Sequence, residues 1–355
     1  MKKNKIESIQ ALRAIAALLV CSMHTATQKS TTEVFFIYVQ KILSIIGSYG
    51  VDLFFAISGF IMSWIVLHEN LSPSIREGLA FFVKRIFRIY PLFWFTLAVM
   101  IVLSVLFNGQ ITLEVKQALH GSVLFLLTPH IPLQYAAWSL PFELYFYVVM
   151  LVFICFFSQK NFMIFFCSWI SFHLMLVVMS SYGIIAFQNF IFVNVVLLEF
   201  FIGIVVGYLF YKYPCASITK KYISILCGCV ILISGFIYAS LSFTPTTKWI
   251  FCLTRVLPAG LILYGVIGLE LHDKLKVPRW LVKLGDISYS IYLWNFPVLA
   301  FASYIFNHSV FYQETAAINR FMIEMIAIIL LSFISYRWIE QPCVRFSHRI
   351  VNKIK

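Results

Sequence analysis

The chain has 355 residues, of which 61% are hydrophobic and 12% charged, and a formal net charge of +13. A soluble globular domain carries about a quarter of its residues as charges, so this balance excludes a water-soluble fold for the bulk of the chain. Apolar runs of roughly 18 to 25 residues, long enough to cross a hydrocarbon core of about 30 Å, recur throughout, and length therefore counts spans rather than soluble domains.

The first apolar run, Ile6 to Ala26, follows Met-Lys-Lys-Asn-Lys as a signal peptide would. It contains Arg13 and lacks a convincing small-residue cleavage site, so it reads as a retained span. Further spans are expected at about 44–67, 88–107, 138–157, 161–180, 186–211, 222–242, 248–269, 285–307 and 318–337. Between them lie the Pro, Gly, Lys and Asn residues of connections, as in Lys276-Val277-Pro278-Arg279. The only sizeable connection predicted outside the membrane, around Asn108 to Ala137, holds an apolar patch at Gly121 to Leu127 that reads as a short interfacial segment. Neither an internal repeat nor a low-complexity tract is evident. The expected fold is all-α, a polytopic membrane helix bundle of about ten transmembrane helices, forming one domain over residues 1–355 with no separate soluble domain. Eight cysteines are scattered, mostly inside apolar runs; Cys227-Gly-Cys229 is too tight for a zinc pair, so core filling is expected and no metal site.

The basic excess has a sidedness. With the N-terminus in the cytoplasm, 20 of the 27 Lys and Arg residues, Lys84, Lys212, Lys221 and Arg345 among them, fall on that side, whereas Lys29, Lys41, Lys116, Lys248 and Arg320 fall opposite. The positive-inside rule then puts both termini in the cytoplasm and requires an even number of spans. The charge is an orientation signal, and nucleic-acid binding is not expected.

Charges inside spans are costly and usually face a cavity or a partner. Arg13, His24, Asp52, Glu143, Glu199 and Arg255 are of this kind. Arg13 and His24 are 11 residues apart, which on a helix places them within roughly 20° of each other and about 16 Å apart along the axis. Histidine suits proton transfer near neutral pH, and the arginine fork suits a carbonyl, phosphate or carboxylate. Glu143 is expected at the depth of His24, where a carboxylate could steady the imidazolium; pairing with Arg255 is the alternative. Asp52 is a weaker candidate for the same duty. Arg85 and Arg88, in Lys84-Arg85-Ile86-Phe87-Arg88-Ile89-Tyr90-Pro91 at the predicted start of the third span, have the i,i+3 spacing that sets two guanidinium groups toward one anion. Ordinary flanking charge explains them equally well. Tyr289, Tyr292, Trp294 and Trp138 sit near span ends and read mostly as interfacial anchors.

Several stretches together resemble the acyltransferase-3 family of integral membrane acyltransferases, and most closely its shorter, stand-alone branch. They are Leu12-Arg13-Ala14 followed by His24; Gly50-Val51-Asp52-Leu53-Phe54-Phe55-Ala56-Ile57-Ser58-Gly59-Phe60; Arg85-Ile86-Phe87-Arg88-Ile89-Tyr90-Pro91; Trp138-Ser139-Leu140-Pro141-Phe142-Glu143; Gly285-Asp286-Ile287-Ser288-Tyr289-Ser290-Ile291-Tyr292-Leu293-Trp294; and Ile339-Glu340-Gln341-Pro342. The resemblance implies an enzyme of a bacterial cytoplasmic (inner) membrane that transfers an acyl group, often acetyl, from cytoplasmic acyl-CoA to a sugar hydroxyl of an exported polysaccharide or lipid-linked glycan. It implies His24, Glu143 and Arg13 as catalytic, Arg85 and Arg88 as acyl-CoA-binding, and Asp52, Ser58, Trp138, Tyr289 and Asn295 as supporting residues. Acyl-CoA is then a co-substrate, and no permanently bound cofactor is expected. Asn295 stands where family members commonly have a histidine, which puts a second imidazole in doubt. Some relatives carry an extracytoplasmic esterase-like domain, and the chain here ends about 15 residues past its last predicted span. A transporter of a modified glycan is the rival class, since intramembrane charges also line transport pathways; no inverted repeat or glycine-broken span pair supports it.

Overall fold

Inside a bilayer no water satisfies backbone N–H and C=O groups, so a chain this apolar must close its hydrogen bonds within helices or a barrel. The computed structural model describes residues 6–29, 32–68, 73–108, 135–184, 191–214, 217–241 and 248–354, and every regular element among them is helical. The principal ones in order are α1 (Glu7–Thr27), α2 (Val34–His68), α3 (Ile75–Asn108), a 3₁₀ turn (Tyr135–Ser139) running into α4 (Leu140–Phe156), α5 (Phe162–Ser181), α6 (Leu197–Lys212) and α7 (Ile218–Leu241). A π-helical turn (Cys252–Val256) then leads into α8 (Leu257–Leu271), followed by α9 (Arg279–Asp286), α10 (Ser288–His308), α11 (Val310–Glu314) and α12 (Ala317–Ser335). A second π-helical turn (Tyr336–Glu340) joins α12 to α13 (Gln341–Ile354).

Each of the ten predicted spans overlaps a helix, the one at 186–211 only from Leu197 onward, so the all-α polytopic bundle holds. Among the described residues, eight helical stretches are long and apolar enough to cross a membrane. Outside that set are α6, whose 16 residues rise about 24 Å, and α10, which carries more polar side chains. The predicted beginning of the span at 186 and the patch at 121–127 lie outside the described residues.

Two helices are longer than expected. α2 has 35 residues and α3 has 34, each about 50 Å, because residues 34–43 and 75–87, ahead of the predicted spans, continue the same helices. Arg85 and Arg88 consequently lie in the interior of α3, and Pro91 is accommodated within the helix. The cysteines also depart from expectation. Cys21 is buried, but Cys167, Cys227 and Cys229 are exposed. The two on α7 share a helix whose Ile223, Leu226, Val230, Ile233 and Ile237 form an exposed apolar stripe at helical spacing, a surface suited to lipid.

The chain divides into two compact units. The first comprises Met1–Ala16, Tyr49–Leu79 and Tyr145–Asp286, the second Ala17–Ser48, Ala80–Leu144 and Ile287–Lys355. In the first unit α6 and α2 meet at backbone distance. A Cβ on Gly203 would lie 2.0 Å from the Ala56 carbonyl oxygen, and one on Gly59 would lie 2.0 Å from that of Phe200. With Gly207 against Ser63, the Gly203-Ile-Val-Val-Gly207 segment is a small-xxx-small contact, which lets helices gain dispersion where lipid removes the hydrophobic drive. The start of α1 is secured by Glu270 of α8, whose carboxylate accepts from the backbone N–H groups of Glu7 (2.9 Å) and Ser8 (2.6 Å), two donors left open by the first helical turn. Lys221, counted above among loop charges, is fully buried on α7; its ammonium lies 3.3 Å from the Tyr264 ring centroid and 4.3 Å from that of Phe210. Its stem packs where Gly268 leaves room, a contact that loop counting cannot anticipate.

The second unit is tied by side chains of α10. Ser290 donates to Glu340 (2.9 Å), Trp294 Nε1 to Ser335 Oγ (2.9 Å), and the Tyr289 hydroxyl to the Ile89 carbonyl of α3 (2.8 Å). Replacing Gly203 with leucine should cost about 1–3 kcal/mol through overpacking against the α2 backbone. A lowered thermal midpoint of the detergent-purified variant checks this; an unchanged midpoint contradicts the close contact.

Candidate active site

His24 lies in the last turn of α1, half-buried, with its ring edge-on to Phe296 of α10 at 5.0 Å between centroids. One helical turn before Phe296, Tyr292 is 7% exposed, and its hydroxyl lies 2.7 Å from Ser139 Oγ. Ser139 closes the 3₁₀ turn that runs into α4, and Glu143 occupies the first turn of that helix, where the helix dipole favours a carboxylate. Glu143 is an electrostatic neighbour of the Tyr292 hydroxyl. The second unit thus gathers Ser139, Glu143 and Tyr292 at one level of α10 and His24 with Phe296 at the next, about 6 Å along the axis.

Sequence reasoning missed Ser139 and misplaced Tyr292. Tyr292 and Trp294 are not interfacial anchors: both are buried, at 7% and 9% exposure, and both hydroxyl and indole N–H have partners inside the protein. An aromatic near a span end looks the same in sequence whether its polar tip meets headgroups or a buried hydroxyl. Tyr289 joins α10 to the Arg85–Pro91 stretch through the Ile89 carbonyl. Trp138 packs edge-on against Phe142. Asn295 is fully buried, and neither Oδ1 nor Nδ2 has a hydrogen-bond partner among the described residues. A buried amide left this way costs about 1–3 kcal/mol, which a polar ligand group would recover.

Arg85 and Arg88 are both half-buried and one turn apart on α3, and the Arg85 guanidinium lies 5.3 Å from the Phe81 ring centroid. The spacing puts both on one face, so they can address one anionic group.

The remaining candidates belong to the first unit. Arg13 is buried, with Nη1 3.3 Å from Gln10 Oε1. Its stretch of α1 is held by Glu270 and by Gly285, where a Cβ would come 1.9 Å from the Gln10 carbonyl oxygen. Ser58 is half-buried on α2. Asp52 is bound by Arg255: Nε donates to Oδ2 at 2.6 Å, and the guanidinium also lies against the rings of Tyr49 and Phe251. Glu199 is fully buried in the same cluster beside Asp52. The expected alternatives are corrected accordingly: Arg255 is the partner of Asp52 rather than of Glu143, and the Asp52 carboxylate is engaged by a guanidinium. The π-helical turn at Cys252–Val256 carries Arg255 and sets its direction, and nothing in the sequence marks such a turn.

Comparison with known sequences identifies the family. The profile of a family described as an acyltransferase domain matches residues 6–337. The chain belongs to this family of acyltransferases. It is 24% identical over 374 aligned residues to a Staphylococcus aureus (strain COL) protein provisionally named an O-acetyltransferase, covering 96% of this chain and 58% of that protein. It is 25% identical over 323 residues to O-acetyltransferase OatA of Staphylococcus aureus (strain NCTC 8325), covering 83% of this chain and 52% of the relative. The chain therefore spans little more than half the length of these relatives. No solved structure matches it. It is a multi-pass membrane member of its family.

Removing the cation of the Asp52 cluster strands buried carboxylates. Arg255→Met should destabilise the protein by about 3–5 kcal/mol, and adding Asp52→Asn should restore part of the loss. Thermal unfolding of the purified variants measures both; a single variant as stable as the parent excludes the pairing.

Proposed function

We propose that the protein is a membrane O-acyltransferase that moves an acyl group, acetyl in the first instance, from acyl-CoA to a sugar hydroxyl of an exported or lipid-linked glycan. The observation that carries this reading is the placement of His24 one turn of α10 from the Ser139–Tyr292–Glu143 cluster, in a chain that belongs to an acyltransferase family. The names of the O-acetyltransferase relatives support the acyl group and the ester linkage.

In this mechanism the CoA phosphates are held by Arg85 and Arg88, whose paired guanidinium groups suit phosphate oxygens. His24 removes the proton of the acceptor hydroxyl as its oxygen attacks the thioester carbonyl carbon. The tetrahedral oxyanion is stabilised by hydrogen-bond donors of the site, for which the Asn295 amide and the Tyr292 and Ser139 hydroxyls are candidates. The carbon–sulfur bond breaks, the imidazolium returns its proton to the CoA thiolate, and the ester and free CoA leave. Glu143 favours the imidazolium during the interval in which it carries charge. Arg13, 11 residues earlier on the same helix, serves the donor side.

The positive-inside asymmetry supports an orientation with both termini in the cytoplasm of a bacterial plasma membrane, with the donor approaching from the cytoplasm and the acceptor presented on the other face. Direct transfer needs both substrates at one histidine, and this orientation brings them to it from opposite sides.

His24→Ala should abolish transfer of radiolabelled acetyl from acetyl-CoA to host surface glycan while the variant still accumulates in the membrane; acetylation persisting at the parental level would sink the reading. Arg85→Ala combined with Arg88→Ala should raise the Kd for acetyl-CoA by about tenfold or more, since each charge-assisted hydrogen bond contributes roughly 1.5–3 kcal/mol. Isothermal titration of the purified double variant decides it, and parental affinity would remove phosphate binding from these arginines.

A further inference from the structure

Beyond His24, the same helices build a second polar feature that the transfer mechanism leaves unused. α1 ends at Thr27, and Gln28 and Lys29 follow within about one and a half turns of the histidine. On α10, Leu299, Ser303, Phe306 and Asn307 continue at helical spacing from Phe296, the residue that touches His24. Together with Tyr312 of α11 and Arg320 and Glu324 of α12, these residues line a pocket of about 240 Å³, all within the second unit.

We infer that this pocket is the acceptor subsite, holding one hydroxyl-rich sugar ring, neutral or acidic, so that an adjoining hydroxyl of the glycan reaches His24; the inference rests on the acyltransferase reading above.

Its lining matches that chemistry. Each sugar hydroxyl both donates and accepts, and the Gln28 and Asn307 amides and the Ser303 and Tyr312 hydroxyls can do both in return. Phe306 offers a flat apolar face, as the C–H side of a sugar ring requires, and the Arg320 guanidinium lies 4.6 Å from its centroid. An acyl chain or lipid tail would instead call for a purely apolar wall. The volume lies just under the roughly 300–1,000 Å³ of sites for drug-sized ligands, which suits one ring and is too small for CoA. Lys29 and Arg320 against Glu324 leave a formal charge of +1, which opposes a cationic amino sugar.

The walls are held in place before any ligand arrives. Glu324 accepts from the Lys29 ammonium and from the Tyr312 hydroxyl (2.7 Å), joining α12 to α11 and to the segment after α1. Gln40 Nε2 donates to the carbonyls of Ala26 (2.8 Å) and Lys29 (2.7 Å), and Glu33 accepts from the Ala317 N–H (2.7 Å) at the start of α12. Burial pushes the Tyr312 hydroxyl above the ordinary tyrosine range, so it remains a neutral donor and acceptor at physiological pH. Burial also holds the Lys29 ammonium below the usual lysine range despite the carboxylate beside it. Such preorganisation lowers the cost of binding a small polar ligand.

The test uses the full chain purified in detergent, with methyl β-D-glucopyranoside, methyl β-D-glucuronide and, as the cationic control, methyl β-D-glucosaminide, followed by saturation-transfer difference NMR. The glucoside or the glucuronide should bind saturably and the glucosaminide more weakly than either. Gln28, Ser303 and Asn307 are exposed, so their replacement spares the core. Ser303→Trp, which fills the pocket, and Gln28→Ala with Asn307→Ala should each weaken sugar binding about tenfold or more. Undiminished binding in Ser303→Trp, tighter binding of the glucosaminide, or no binding of either hydroxylated probe would overturn the inference. These outcomes are independent of the transfer assay: failure of the parent protein to move radiolabelled acetyl from acetyl-CoA to glycan overturns the acyltransferase reading, whereas sugar binding that survives Ser303→Trp overturns only the subsite.

Discussion

A carboxylate buried in an apolar bundle must find donors, because leaving it unpaired costs several kcal/mol. This protein uses that constraint repeatedly to join distant stretches of chain. Asp52 takes Arg255 across 203 residues, Glu270 takes the first amides of α1 across 263, and Glu324 takes Lys29 across 295. Glu340, in the terminal Ile-Glu-Gln-Pro stretch, accepts from Ser290. Dispersion between apolar helices in lipid is permissive about register, since lipid tails offer nearly the same contacts. A carboxylate with one geometrically suitable donor is not permissive. The residues that set the register of this bundle are therefore its rare polar ones.

The same constraint explains the behaviour of α10. It carries more polar side chains than most of the other helices, and four of those in its first half reach neighbouring elements. Tyr289 reaches α3, Ser290 and Trp294 reach the α12–α13 region, and Tyr292 reaches the 3₁₀ turn ahead of α4. Asn295, without a hydrogen-bond partner among the described residues, stands between these structural contacts and the Phe296 that meets His24. A helix fixed on three sides can present one face with the precision that proton transfer requires.

Much of the fold was legible in sequence. Apolar runs separated by Pro, Gly and Lys located ten helices, and the intramembrane charges Arg13, Asp52, Glu199 and Arg255 all proved buried or half-buried. The site was legible only in outline. His24 and Glu143 stood out because ionisable groups in apolar runs are rare, but Ser139 and Tyr292 did not, since a hydroxyl in a span carries no comparable penalty to mark it. The pairing of Arg255 with Asp52 was equally hidden, because it depends on a π-helical turn whose extra residue rotates the side chain off the ordinary helical phase.

Composition and periodicity alone determined that the chain is a helical membrane protein, which ionisable residues must be inside it, and, through its motifs, the family to which it belongs. Those properties are local: they follow from the cost of exposing backbone and charge to hydrocarbon, summed along one segment at a time. Partners are not local. That Lys221 lies in an aromatic box, that Tyr292 is a buried hydroxyl beside Glu143, and that Lys29, Tyr312 and Glu324 close one pocket were decided only when helices remote in sequence packed together. The physical reason is that a buried donor is satisfied by whichever acceptor the packing brings within about 3 Å, and sequence separation carries no information about that distance.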